Sequence, residues 1–176
     1  LTQAYTMFAN MGIQCEPSAI LSITDAEDRL IYQDPVRKHQ VMTRQDAAVI
    51  TDMLKAVIRE GTGKKAGSIK REIAGKTGTT DDFKDAVFIG YSPDIVMGVW
   101  VGRDDAASLG RGQTGARAAL PIWIESMRHI LSRRPVQYFD IPDGTKMVYM
   151  DPDTGKLQAK KFSGSVKALI RDKGQP

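Results

Sequence analysis

The stretch Glu72-Ile-Ala-Gly-Lys-Thr-Gly-Thr-Thr80, with the two apolar segments that follow it, decides the fold of this 176-residue chain. Its length and composition predict a strand, and Asp81-Asp82 supplies a polar turn after it. The next segments, Asp85 to Tyr91 and Ile95 to Gly102, are rich in Val, Ile and aromatic residues and are joined by the hairpin signature Ser92-Pro93-Asp94. Strands with such short connections are antiparallel. The sequence therefore predicts an antiparallel sheet of at least three strands.

Helical periodicity predicts helices before and after these strands. The clearest helix starts at Thr43 and keeps its apolar residues on one face until Gly61. A short buried helix is predicted after Thr2, its candidate N-cap, with Gly12 as its stop, and a last helix over Ala116 to Leu131. Helices that cover an antiparallel sheet predict an α+β fold, an α/β sandwich.

The remaining segments are shorter or irregular. Two β-like runs flank the polar turn Asp25 to Asp28 and predict a hairpin. Three glycines between Gly61 and Gly67 predict a loop, because glycine loses much backbone entropy in a regular element. Short β pieces are expected around Lys146 to Tyr149. Trp100 and Trp123 are predicted to anchor the core between sheet and helix.

The positive charge is concentrated at the C-terminal end. The chain has a formal charge of +4, while the part from Gly155 onward has six basic residues and one acidic residue, so the rest is slightly negative. The basic residues are Lys156, Lys160, Lys161, Lys167, Arg171 and Lys173. Because Phe162 is the one aromatic residue among them, this end lacks a stacking platform, and we predict a solvated tail rather than a nucleic-acid partner.

Several other classes of protein are disfavoured. One cysteine and two histidines predict neither an internal disulfide nor a Cys/His zinc site, and no metal is expected. The longest apolar region, Ala86 to Gly102, is interrupted by polar residues and is too short for a membrane span. Because the chain opens on Leu1 with no leader sequence, we expect it to be a piece of a longer protein.

Two mechanisms compete for Gly75-Lys-Thr77. A phosphate loop needs G-x-x-x-x-G-K-[ST], but Lys70 stands where the first glycine is required, and no helix is predicted after the motif. The alternative is the Lys-Thr-Gly strand of penicillin-recognising serine acyltransferases. Strand alternation then puts Lys76 and Gly78 on one face, with Thr77 and Thr79 on the other.

The wider sequence resembles the C-terminal half of the transpeptidase domain of bifunctional, class A penicillin-binding proteins. The resemblance runs in family order over about residues 1 to 130. It rests on Leu1-Thr-Gln-Ala-Tyr-Thr-Met-Phe-Ala-Asn-Met-Gly12, Gly61-Thr-Gly63, Ala74 to Thr80, Asp85 to Tyr91, Val99-Trp-Val-Gly-Arg-Asp104, and Thr114-Gly115 through Trp123. It implies a partial penicillin-binding/β-lactamase-like serine transpeptidase fold, with residues 1–133 in the transpeptidase domain and residues 134–176 as an extension.

The sequence departs from the family pattern in two ways. Val87 stands where the family usually has tryptophan, which concerns packing more than chemistry. The family's nucleophile motif S-x-x-K and its second motif S-x-N are both missing: no serine has a lysine three positions later, and the single asparagine is Asn10. Both motifs lie upstream in such proteins. We therefore expect this chain to be inactive alone.

The resemblance assigns roles to five residues of the strand. Lys76 would support proton transfer and attract the substrate carboxylate, and the hydroxyls of Thr77 and Thr79 would bind that carboxylate. The Thr79 amide would form half of an oxyanion hole, which makes Lys76 and Thr79 the catalytic candidates. Gly78 would leave room for an adjacent helix, and Gly78 and Thr80 both belong to the substrate-binding set.

The resemblance also implies partners and a location. The parent enzyme would be a peptidoglycan D,D-transpeptidase on the periplasmic side of the bacterial inner membrane, with stem peptides ending in D-Ala-D-Ala and β-lactams as ligands and without cofactors. The missing N-terminal half of the domain would pack on this chain, and the isolated fragment is expected to self-associate or to show local disorder. The alternatives are a β-lactam sensor of the same fold or a fragment retained for interactions.

Overall fold

The computed structural model describes residues 1–172, which contain three α-helices and ten strands. The helices are α1 (Thr2–Ala9), α2 (Arg44–Arg59) and α3 (Ala119–Ser132). The strands are β1 (Ile13–Cys15), β2 (Ser22–Thr24), β3 (Leu30–Gln33), β4 (Lys38–Gln40), β5 (Ala74–Thr79), β6 (Asp85–Tyr91), β7 (Val96–Gly102), β8 (Thr145–Met150), β9 (Leu157–Gln158) and β10 (Val166–Arg171). Lys173 of the predicted tail lies outside the described residues.

The central sheet has the order β5-β6-β7 with both pairs antiparallel, which confirms the predicted sheet. Its register places Thr77 opposite Phe88, and Phe88 opposite Val99. β5 is therefore an edge strand among the described residues. The side chains of one face of the sheet pack against α3, and α1 lies against part of the other face.

The main core lies between this sheet and α3. Trp123 is fully buried, and its ring meets Phe88 edge to face with centroids 5.0 Å apart. A Cβ atom at Gly90 would lie 2.8 Å from the Trp123 ring, so only glycine fits beneath the indole. The prediction that Trp123 anchors the core is confirmed. The same prediction for Trp100 is wrong, because its side chain lies on the face of the sheet that α1 covers only in part, and the residue is 58% exposed.

Helix α1 lies on the face of the sheet opposite α3. A Cβ atom at Gly98 of β7 would collide with the Thr2 hydroxyl, so the helix approaches the strand closely. The helix begins with Leu1 as its N-cap, not Thr2, and none of its residues is buried. The prediction of a buried helix is therefore wrong, because within residues 1–172 nothing covers its outer side.

Helix α2 begins where the sequence predicts. The Thr43 hydroxyl accepts a hydrogen bond from the Asp46 N–H and caps the first turn. Hydrogen bonding from Thr43, with a contribution from Arg171, holds the pKa of Asp46 below its usual range. The following glycine-rich segment is not only a loop, because Lys64–Ile69 form a short 3₁₀ helix.

The C-terminal residues form a second sheet of order β10-β8-β9 rather than a solvated tail. β10 packs against α2, where Leu169 is 5% exposed and its N–H donates to Asp52 Oδ2 at 2.9 Å. Arg171 pairs with Asp46 at 3.1 Å. The tail prediction is wrong for Val166–Arg171, because these residues pair with β8 and pack against α2, and contacts between segments so far apart in sequence cannot be read from the charge of one stretch.

Replacing Leu169 by alanine is expected to destabilise the chain by about 2–4 kcal/mol, the usual cost of truncating a buried leucine. The truncation removes the Leu169 side chain from the contact between β10 and α2. Urea unfolding of the purified chain measures the change in the free energy of unfolding. Leu157→Ala on β9 is the matched control, because Leu157 is 46% exposed. Equal stability of the two variants would contradict the packing of β10 on α2.

The chain exposes more surface than a compact protein of its size. Its accessible surface is 11,412 Å², whereas a folded monomer of this mass exposes about 8,500 Å². The β2–β3 hairpin contributes apolar surface, with Leu21 and Ile31 both about two-thirds exposed.

The helices among residues 1–172 include none long and apolar enough to span a membrane.

Candidate active site

A groove of about 290 Å³ runs along β5. It is lined by every residue from Lys76 to Thr80, with Leu1 and Tyr5 from the α1 end of the chain and Asp85 from β6. The five residues predicted as site residues are therefore brought to one place. A larger cavity of about 490 Å³ lies between α2 and β10, but none of these residues lines it.

The Lys76 side chain is exposed at this groove. The strand changes from buried to exposed between Gly75 and Lys76. The backbone at Gly75 is closely packed, since an added Cβ atom there would lie 2.8 Å from the Ile89 carbonyl oxygen. The Lys76 ammonium donates a hydrogen bond to the Thr77 carbonyl oxygen at 2.9 Å. No carboxylate within residues 1–172 forms an ion pair with it. Its positive charge is available to an anion that enters the groove.

The backbone of β5 offers a free amide on its open edge. The Thr80 N–H donates to the Asp85 carbonyl at 3.1 Å, which makes Thr80 and Asp85 a hydrogen-bonded pair. In an antiparallel ladder such pairs alternate along the strand. The N–H groups of Thr77 and Thr79 therefore point away from β6, toward the groove's open side. The Thr79 N–H is the amide for which the sequence resemblance predicts the role of oxyanion donor.

The Thr77 side chain points to the opposite face from Lys76, as strand alternation predicts. Its hydroxyl oxygen lies 2.7 Å from the hydroxyl oxygen of Thr62. Thr62 follows α2 in a tight turn between two glycines. Gly61-Thr-Gly63 contributed to the family resemblance, but the sequence reasoning gave Thr62 no role. A threonine between two glycines was the signal that the sequence offered for this contact.

The Thr79 hydroxyl is held by Gly115, from the loop that precedes α3. The Gly115 N–H donates to Thr79 Oγ1 at 3.0 Å. A Cβ atom at Gly115 would lie 2.5 Å from the Gly78 carbonyl oxygen, so this loop touches the backbone of β5. The close approach of this loop to β5 occurs at Gly115, and the prediction that Gly78 leaves room for an adjacent helix stays a prediction. At Gly78 an added Cβ would make an ordinary 3.6 Å contact with Val87.

The Thr80 hydroxyl is used within the turn after β5. It donates to Asp85 Oδ2 at 3.2 Å and accepts from the Asp85 N–H at 2.8 Å. The other Asp85 oxygen accepts from Trp100 Nε1 at 2.9 Å. Thr80 lines the groove, but its hydroxyl proton is already donated. Burial raises the pKa of the nearby Tyr5 phenol.

The phosphate-loop interpretation does not fit this geometry. Residues Ala74–Thr79 form a strand, and Asp81–Phe83 form one 3₁₀ turn before β6. A phosphate loop needs a helix whose N-terminal N–H groups face the ligand.

Among residues 1–172, no group of three or more His, Cys, Asp or Glu side chains is arranged to hold a metal ion.

Comparison with known proteins identifies the family of this chain. The family model of the penicillin binding protein transpeptidase domain matches residues 1–121. Penicillin-binding protein 1A of Aquifex aeolicus is 43% identical over 152 residues, which cover 86% of this chain and 21% of that protein. The crystal structure of penicillin-binding protein 1A from Haemophilus influenzae superposes with a TM-score of 0.87 at 26% identity, over 99% of this chain and 32% of that one.

A second similar structure is that of penicillin-binding protein A from M. tuberculosis, an imipenem acyl-enzyme complex. It matches 73% of this chain with a TM-score of 0.60 at 21% identity, which shows a shared fold. The chain belongs to the penicillin-binding protein transpeptidase family, as the sequence resemblance predicts. It spans about a fifth of the length of its Aquifex relative.

Proposed function

We propose that this chain forms one wall of the active site of a peptidoglycan D,D-transpeptidase. The observation that carries this proposal is the arrangement of β5. An ammonium without a carboxylate partner among residues 1–172, two threonine hydroxyls and an unpaired amide lie together at one open strand edge. This set suits a substrate with a terminal carboxylate beside a reactive carbonyl.

The reaction requires a serine from a part of the full-length protein outside this chain. That serine attacks the carbonyl carbon between the two D-alanines of a stem peptide. The C–N bond breaks, the terminal D-alanine leaves with a proton on its amine, and an acyl ester remains. The amine of a second stem peptide then attacks the ester, forms the cross-link and returns the proton to the serine.

In this reaction Lys76 supports proton transfer and attracts the substrate carboxylate. The Thr79 N–H donates to the oxygen of the attacked carbonyl as negative charge develops there. The hydroxyls of Thr77 and Thr79 donate to the terminal carboxylate, which fixes the carbonyl beside the serine. Thr80 and Gly78 shape the strand around these groups. None of these steps uses a cofactor.

β-Lactams are proposed to react with the same serine, since their carboxylate and ring carbonyl mimic the two groups that the strand recognises. The description of the M. tuberculosis neighbour as an imipenem acyl-enzyme complex supports this proposal. The peptidoglycan substrate implies that the site works on the periplasmic side of the inner membrane.

The remainder of the transpeptidase domain is proposed to cover the face of the sheet opposite α3. A second groove of about 230 Å³ on this face is lined by Leu1, Val87, Ile89 and Trp100, among others. The large accessible surface supports the same proposal. Division of the chain at residue 133 into domain and extension, and self-association of the isolated chain, stay predictions.

The test replaces Thr79 by valine in the full-length protein. Because the variant loses the hydroxyl that donates to the carboxylate, acylation by benzylpenicillin is expected to slow by about 10-fold or more. Acylation by the methyl ester of benzylpenicillin should change little. Thr24→Val on β2 is the matched control, since Thr24 is exposed and lies outside the groove. Equal losses for the two ligands would contradict carboxylate binding by Thr79.

A further inference from the structure

We propose that Thr62 is a positioning residue that orients the Thr77 hydroxyl for a carboxylate. This inference rests on the proposed function, in which β5 binds the terminal carboxylate of the substrate. Thr62 is not itself assigned a contact with substrate. It acts through the 2.7 Å hydrogen bond between the two hydroxyl oxygens.

The turn that carries Thr62 is held firmly on the end of α2. The N–H groups of Gly61 and Gly63 both donate to the Val57 carbonyl, at 3.0 and 3.2 Å. Gly63 is buried, and a Cβ atom there would lie 2.7 Å from Ile58 Cδ1. The turn has no space to move toward the helix. It therefore presents Thr62 to Thr77 from a fixed position.

The single proton of each hydroxyl determines the direction of the hydrogen bond. A threonine hydroxyl has one donor and two acceptor sites, and a carboxylate only accepts. When Thr77 donates its proton to a carboxylate, it has none left for Thr62. Thr62 must then donate to Thr77, so that two successive hydrogen bonds run from Thr62 to Thr77 and from Thr77 to the ligand. Without the Thr62 hydroxyl, the Thr77 oxygen loses this donor.

The Thr79 hydroxyl has an equivalent arrangement. The Gly115 N–H can only donate, so Thr79 Oγ1 accepts from it and keeps its own proton for a ligand. Both hydroxyls of the strand are thus supplied with a donor from a neighbouring loop. Each is left with a proton for a ligand that accepts, such as a carboxylate. Of these two donors, the Thr62 hydroxyl can be removed by substitution, whereas the Gly115 donor is a backbone N–H that stays in place.

The experiment compares Thr62→Val with Thr62→Ser in the full-length protein. Stopped-flow acylation gives the dissociation constant of the complex before the covalent step and the rate constant of that step. For benzylpenicillin, Thr62→Val is expected to raise the dissociation constant by about 3- to 10-fold, the loss of one neutral hydrogen bond. The dissociation constant for the methyl ester should change by less than about 2-fold, since the ester lacks the carboxylate to which the Thr77 hydroxyl would donate. Thr62→Ser, which keeps the hydroxyl, should restore the parent value.

Three outcomes overturn the inference. The first is a Thr62→Val variant that binds benzylpenicillin as the parent does. The second is an equal loss for benzylpenicillin and its ester, which would indicate a structural role of the turn. The third is a Thr62→Ser variant as impaired as Thr62→Val. Thr79→Val, measured alongside, separates the two proposals: if it discriminates between the ligands while Thr62→Val does not, only the role of Thr62 fails. If neither discriminates, carboxylate binding by the strand fails as well.

Discussion

Replacement of Lys76 by alanine in the full-length protein should slow acylation by benzylpenicillin by about 100-fold or more, the scale of losing a positioned charged or acid/base group. The Lys76 ammonium is held at the groove by the Thr77 carbonyl and has no carboxylate partner within residues 1–172. Its removal leaves the bound carboxylate and the proton transfer without their cation. The rate of labelling by a fluorescent penicillin, followed by denaturing electrophoresis, measures the effect.

Two variants control this experiment. Lys65→Ala removes an equivalent charge from the exposed 3₁₀ helix after α2 and should leave the labelling rate unchanged. Lys76→Arg keeps the charge but changes its geometry and its capacity to lose a proton. Labelling of Lys76→Ala within about twofold of the parent rate would remove Lys76 from the proposed mechanism.

The central sheet could be predicted because its signals are local. β5, β6 and β7 are consecutive in the chain and are joined by short polar turns. Strand alternation then assigned Lys76 and Thr77 to opposite faces without knowledge of any distant contact. The predicted site residues line one groove for the same reason, since they are neighbours along a single strand.

The supporting contacts could not be predicted, because they join segments far apart in sequence. Thr62 reaches Thr77 across 15 residues, and Gly115 reaches Thr79 across 36 residues. The packing of β10 on α2 joins Leu169 to Asp52 across 117 residues. Periodicity within one segment contains no information about such pairings. The exposure of Trp100 was missed for the same reason, since it depends on what covers the sheet.

The isolated chain should form no covalent adduct with penicillin, because the serine that attacks and its partner lysine are absent from it. The S-x-x-K and S-x-N motifs do not occur in its 176 residues. Lys76 and the hydroxyls of β5 can bind and polarise a β-lactam, but none of them is activated as the nucleophile. This is the largest effect expected, since the reaction is lost completely.

The most direct measurement is side-by-side labelling of this chain and the full-length protein with a fluorescent penicillin, followed by boiling and denaturing electrophoresis. We expect a labelled band for the full-length protein, with the isolated chain unlabelled at the same concentration. Unlabelled benzylpenicillin added first should abolish the full-length band. A boil-resistant label on the isolated chain, or none on the full-length protein, would contradict the claim that this chain is one wall of a serine transpeptidase site.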